Sequence, residues 1–232
     1  QVIYVKLDDP ENTQSLDSEV QRVQERFQFD GWCVTEPGEW HLKQQFEALQ
    51  EQMAVPFEII ADDRFLCSHD TFEAFLAGRK QPRMEHFYRK IRQSTGLLME
   101  GKEPVGGQWN FDHDNRKALD QRQTPNPPSW PLDATTKDVV KLVNTRFADH
   151  FGDLHSEQSA WPVNREQALQ ILDHFINERL PSFGDFQDAM VLGKDTLFHS
   201  LVSTSLNLGL LSPMEICRAA EDAFHQGHAP IN

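Results

Sequence analysis

Residues Thr95 to Lys117, TGLLMEGKEPVGGQWNFDHDNRK, separate two kinds of sequence. Strand-like runs alternate with helical periods before this stretch, and helical periods dominate after it. Gly96, Gly101, Gly106 and Gly107, with Pro104, forbid a long regular element inside it. Leu97, Leu98, Met99, Val105, Trp109 and Phe111 still offer apolar surface, so an ordered connector docked on a body is expected, not a flexible tether. Its glycines suit turns and Trp109 an anchor; no phosphate-loop spacing occurs.

Upstream, Val2 to Leu7 is β-branched and aromatic enough for a strand, stopped by the turn formers of Asp8 to Thr13. Leu16, Val20, Val23 and Phe27 then fall on one helical face, opposite Glu19, Arg22 and Glu25. Gly31 to Thr35 supplies a second strand. The helical period returns at Leu42, Phe46, Leu49 and Met53, and Phe57 to Ala61 is a third strand. This alternation predicts an α/β fold with a partial, Rossmann-like parallel sheet and helices on its faces. Three strands make a narrow sheet. Its carboxyl edge would carry Asp8, Thr35, Glu36 and Asp62, either as a cofactor cleft or as a solvated rim.

Two short helices follow. The first begins in Cys67-Ser68-His69-Asp70, where Asp70 and Glu73 have capping-box spacing, and runs to Gly78. The second, Met84 to Ser94, turns Met84, Phe87, Tyr88 and Ile91 inward and Arg89, Lys90 and Arg92 outward. Beyond the connector, the prolines of Thr124 to Pro131 exclude helix. Thr135 or Thr136 caps a helix through Phe147. Asn164, with Gln167 three residues on, opens another, which Pro181 to Gly184 closes. Ser212-Pro213-Met214-Glu215 is a helix start with a capping Ser, Pro in the first position and Glu in the third. The region after the connector is therefore expected to be all α.

The chain has 232 residues and a formal net charge of −14, which disfavours unspecific binding to nucleic acid over its whole surface. Local charge opposes that mean between Arg79 and Arg92, where six cations face the single acid Glu85. Cys33, Cys67 and Cys217 are dispersed, with neither a disulfide framework nor a zinc spacing. No apolar run approaches the roughly 20 residues of a membrane span, and no signal-peptide pattern occurs, so a cytoplasmic location without membrane partners is expected. Gln1 leads straight into VIYVKL, which suggests a segment of a longer polypeptide. Oligomeric state leaves no signal in the sequence.

The polar pattern richest in chemistry is FHSLVSTSLNLGLL, Phe198 to Leu211. As a helix it would put Ser200, Ser203, Thr204 and Asn207 in one stripe, bonded to the helix's own carbonyls, or with Ser200 and Ser203, near a helix start, receiving the phosphates of a nucleotide cofactor. His113 stands between Asp112 and Asp114 in a solvated acidic turn. The motifs of serine hydrolases, zincins and P-loop proteins do not occur.

The runs CVTEPGEW (Cys33 to Trp40), MEHFYRKIRQSTGLLM (Met84 to Met99), GGQWNFDHDNRK (Gly106 to Lys117), FGDFQDAM (Phe183 to Met190) and FHSLVSTSLNLGLLSP (Phe198 to Pro213) resemble the deoxyribodipyrimidine photolyase-related family, the bacterial iron–sulfur cryptochromes and (6-4) photolyases. The resemblance extends over nearly the whole chain. It implies an α/β antenna-type domain over residues 1–78, a helical and Gly/Pro-rich connector over 79–163, and the start of a helical FAD-binding domain over 164–232. It further implies FAD phosphates held by His199, Ser200 and Ser203, with Gln187 beside them; superfamily members commonly have Arg where Leu201 stands. A 4Fe-4S cluster and a lumazine antenna are implied for the intact protein, with ligands mostly outside this segment. The implied activity is that of a DNA photolyase, a lyase in which reduced FAD donates an electron to a pyrimidine photoproduct. UV-damaged DNA is then the partner, with Arg89, Lys90 and Arg92 as backbone contacts, and the segment alone is expected to be inactive. A cryptochrome-type photoreceptor and a nucleotide-binding α/β protein are the alternatives.

Overall fold

Leu16, Val20, Val23 and Phe27 share a face of α1 (Leu16–Phe27), as their spacing requires. A computed structural model describes residues 2–119, 123–152, 154 and 157–232, and the chain divides into two units, Gln1–Thr71 and Phe72–Asn232. In the first, β1 (Trp32–Thr35), α2 (Trp40–Gln52) and β2 (Phe57–Ile60) form one βαβ turn. The strands are parallel and pair from Trp32 with Phe57 to Thr35 with Ile60. Phe46 and Leu49 of α2 close over Phe57, with Val20, Trp32, Val34, Met53 and Ile59 packed around them. The unit is thus mixed α/β with a small parallel sheet.

The run from Val2 to Leu7 is not a strand. A turn joins Lys6 to Asp9, and Val2 and Tyr4 are exposed. Strand propensity measures how well a residue fits a paired, half-buried surface, and no ladder pairs this run.

The second unit begins within α3 (His69–Leu76), whose first turn is capped by Ser68: its Oγ accepts from the Thr71 amide at 3.2 Å. Asp70 therefore lies inside the helix. Phe75 is buried among Phe72 and Phe87, the latter from α4 (Met84–Thr95). Met84 is exposed, contrary to its helical register, because the apolar contact begins one turn later at Phe87. Gly96, at φ 73°, ends α4 in the left-handed region that glycine tolerates.

The connector folds into a two-residue-per-strand hairpin, β3 (Met99–Glu100) against β4 (Glu103–Pro104), followed by two single 3-10 turns. It is docked, as its apolar content predicts. Glu221 accepts from the Leu98 amide at 2.6 Å, and Arg92 donates to the carbonyls of Leu97, Leu98 and Trp109. At its far end Lys117 reaches Asp185, and Asn115 reaches Asp188.

A second small antiparallel pair joins β5 (Trp130–Pro131) to β6 (Gln158–Ser159), with α5 (Ala134–Arg146) between them. Asp133, not Thr135 or Thr136, caps α5, since its carboxylate accepts from the Thr136 amide at 2.7 Å. Asn164 caps α6 (Arg165–His174) through the Gln167 amide. Pro181 does not close this helix. A π turn at Phe175–Arg179 widens the backbone ahead of it, and the chain continues as α7 (Leu180–Phe186). Widening of that kind accommodates a ring that would otherwise meet the carbonyl one turn back.

The expected long helix from Phe198 to Leu211 shrinks to α8 (Ser203–Asn207). Leu201 stands at φ 60°, which breaks right-handed helix on its N-terminal side. Its side chain packs on the core made by Ala168, Ile171, Leu172, Phe175, Val202 and Leu211. The chain finishes with α9 (Pro213–His225), entered through a complete capping box of Ser212 and Glu215.

Candidate functional site

Arg179 organises the polar centre of the second unit. Its side chain is fully buried, at 0% exposure, and lies one turn after Phe175 on the face that carries Ala168, Ile171 and Leu172. The guanidinium donates to the carbonyls of Leu197 (2.7 Å), His199 (3.3 Å) and Pro125 (2.7 Å), and through Nε to His174 Nε2 (3.1 Å). Burial alone pushes its pKa down. Burial also pushes the His174 ring down, and the adjacent Arg179 cation adds to this against Glu178 and Asp173. Sequence reading missed Arg179. The signal was its register: a cation where the helical period calls for an apolar side chain.

His199, Ser200 and Ser203 follow from that anchor. The His199 carbonyl is held by Arg179, and its Nδ1 accepts from the Leu197 amide at 3.1 Å. That leaves Nε2 as the protonated, donating nitrogen of the neutral ring. Ser200 is half-buried and Ser203 exposed. Neither hydroxyl is engaged by a side-chain hydrogen bond among the described residues, so both stay open to an external acceptor. Phe186 packs against Phe198 with the rings tilted by 31° and 5.4 Å between ring centres. Gln187 and His199 each lie one residue beyond that contact, which brings the two segments together. Three donor side chains without a carboxylate in the set suit an anionic group such as a phosphate.

The rest of the expected stripe is different. Thr204 Oγ1 and Ser205 Oγ are buried without hydrogen-bond partners among the described residues, and Ser205 is fully enclosed. The five-residue helix offers Ser203–Asn207 too little length for the continuous stripe the spacing implied.

The basic face of α4 is narrower than expected. Arg92 is buried, at 8% exposure, and its guanidinium holds the connector carbonyls and the Tyr88 hydroxyl. It does not face outward, because its donor fork reaches the inward carbonyls of Leu97, Leu98 and Trp109. Arg89 is half-exposed, paired with Glu85 at 2.7 Å and seated over the Trp109 ring at 5.2 Å. Lys90 is exposed, its ammonium 5.7 Å from the Phe75 ring centre.

In the first unit, Glu36 at the sheet's carboxyl edge is bonded to Lys43 at 2.6 Å and lies 3.3 Å from His69, and Asp62 is paired with Arg64. The Lys43 ammonium, against a smaller effect of burial, holds the Glu36 carboxyl below its ordinary value. His113 pairs with Asp114 on an exposed turn. Among the described residues no group of His, Cys, Asp and Glu is arranged to hold a metal ion, and no helix is long and apolar enough to cross a membrane.

Comparison with known proteins adds two findings. Residues 1–159 match the deoxyribodipyrimidine photo-lyase-related protein family. All 232 residues align at 42% identity with a (6-4) photolyase of Agrobacterium fabrum (strain C58 / ATCC 33970). The chain covers 45% of that relative, just under half its length. The family match ends before α6, so the segment around His199 is related to a known protein through the second alignment.

Proposed function

This chain belongs to the deoxyribodipyrimidine photo-lyase-related family, and on that premise we propose that it forms part of a light-dependent DNA-repair flavoprotein. The observation that carries the reading is 42% identity, over every residue of the chain, to a protein named as a (6-4) photolyase. When bound, reduced FAD supplies an excited-state electron to a pyrimidine photoproduct in DNA. The chain's own part is to bind and orient. His199 Nε2, the Ser200 and Ser203 hydroxyls and the Gln187 amide donate to the cofactor's phosphates, on a segment fixed by Arg179. Leu201 contributes packing where an ionic contact is common in the superfamily.

In this reading residues 1–78 are part of an antenna-type, Rossmann-like domain, 79–163 the connector, and 164–232 the start of the FAD-binding domain. In the same reading a 4Fe-4S cluster belongs to the intact protein with its ligands mostly outside this segment; among the described residues no group of His, Cys, Asp and Glu is arranged to hold a metal ion. Lumazine rests on family resemblance, and the acids Glu36 and Asp62 of the sheet edge already have partners.

The test is an absorption spectrum of the purified full-length gene product, followed by illumination with photoproduct-containing DNA. Bound flavin and light-dependent repair are expected. Flavin without repair would favour a photoreceptor; a colourless protein that cannot be reconstituted with FAD would sink the reading.

DNA contact through α4 is carried by Lys90 and Arg89, with Arg92 removed from the set by its burial. Lys90→Gln should weaken binding of every DNA sequence alike and lower the salt slope by about one counterion. Arg89→Gln should do the same and also loosen Trp109. Affinity and slope unchanged in both variants would rule α4 out of the interface.

A further inference from the structure

Four hydrogen bonds from one enclosed guanidinium draw together three separate pieces of chain: the end of α6 at His174, the proline-rich run at Pro125, and the Leu197–His199 segment. We propose that Arg179 is a positioning residue that holds the His199–Ser200 segment in register for the anionic end of a bound cofactor, and that it does so only while the His174 ring is neutral. The proposal rests on the flavin reading above and deepens it.

The geometry requires both halves. Arg179 presents its donors as a planar fork, and the two Nη atoms take the Leu197, His199 and Pro125 carbonyls. A lysine ammonium at the same place has three donors on a point charge and cannot span them. The Nε–H bond to His174 needs a lone pair on Nε2. A proton there removes the acceptor and sets two cations 3.1 Å apart, one of them fully buried. The charged groups that face His174 are Arg179, which opposes protonation, and Glu178 and Asp173, which favour it. Burial and Arg179 together outweigh the two carboxylates, so the ring holds its proton less tightly than an ordinary histidine. The clasp is then complete at neutral pH and lost as pH falls through that lowered value.

Amide hydrogen exchange over residues 197–202 of the full-length gene product, from about pH 8 to about pH 5 and corrected for intrinsic rates, reads the clasp directly. In the wild type, protection should fall about tenfold across the acid half of that range, with FAD affinity of the apoprotein falling alongside. His174→Gln keeps a neutral acceptor for Nε and should abolish the step while keeping affinity. Arg179→Lys should loosen the segment and weaken FAD binding at every pH. A flat wild-type profile, or a step that persists in His174→Gln, overturns the proposal even where Arg179→Lys fails to fold. A loosened segment with unchanged FAD affinity overturns the positioning role. Absence of FAD binding from every form, with the exchange step present, overturns the flavin reading and with it the cofactor half of the proposal, and leaves the clasp standing.

Discussion

Leu49→Ala is expected to cost the first unit about 3 kcal/mol and to remove most of the exchange protection of β1 and β2. Leu49 is 2% exposed and forms, with Phe46 and Phe57, the buried cluster of that unit. Truncating an enclosed leucine removes its transfer free energy and leaves a cavity that closes only in part, which together cost about 3 to 5 kcal/mol. A domain of this size is stable by about 4 to 10 kcal/mol. A two-stranded sheet is marginal without the helices packed on it, so the unit belongs at the low end of that interval. One methyl-rich side chain thus decides whether the unit is folded. The control is Leu16→Ala on α1, a residue more than half exposed, with an expected change within about 0.5 kcal/mol. Amide exchange at residues 32–35 and 57–60 checks both. Unchanged protection in Leu49→Ala would mean that the cluster is not what holds the sheet.

The contrast between those two leucines also marks what the sequence can convey. Both lie on an apolar helical face by spacing, and both helices are present, because a period of 3.6 is a local property of the chain. How deeply each is buried depends on what lies opposite. Capping is equally local: Ser212 with Glu215 and Asn164 with Gln167 each form the predicted bond. Val2 to Leu7 fails as a strand because strand formation needs a partner, and Pro181 fails as a stop because a π turn elsewhere in the helix absorbs its ring. At the candidate site, the hydroxyl-rich run was visible from spacing, and its left-handed break at Leu201 was not. Ser200 and Ser203 were candidates for phosphate from spacing, and His199 and Gln187 came from resemblance. Arg92 was misread as solvated and Arg179 passed over for one reason: long cationic side chains are usually exposed, and only the facing carbonyls show that these two are buried.

Glu221→Ala is expected to detach the connector, at a cost of about 2 to 3 kcal/mol. Leu98 holds a left-handed φ of 48°, unfavourable for a branched side chain, and keeps it because its peptide groups are pinned from both sides. Glu221 accepts its amide at 2.6 Å, and Arg92 donates to its carbonyl at 2.8 Å. The second Glu221 oxygen accepts from Arg218, which also donates to the Thr95 carbonyl. Burial pushes the Glu221 carboxyl up, but the Leu98 amide and the Arg218 guanidinium outweigh it, and the group lies below its ordinary value. A carboxylate depressed on folding contributes stability above its unfolded value, near pH 4.3 by reference peptides, and loses it as pH falls through the folded one. Connector docking should therefore be constant at neutral pH and weaken in acid. Glu221→Gln keeps an oxygen for the Leu98 amide but sets its NH2 against Arg218, so it should dock more weakly and without the acid step. Exchange protection of residues 97–105, followed against pH in the three proteins, separates these effects. An acid step retained in Glu221→Gln would assign the titration to another carboxylate, and full protection in Glu221→Ala would show that residues 97–105 stay docked without Glu221.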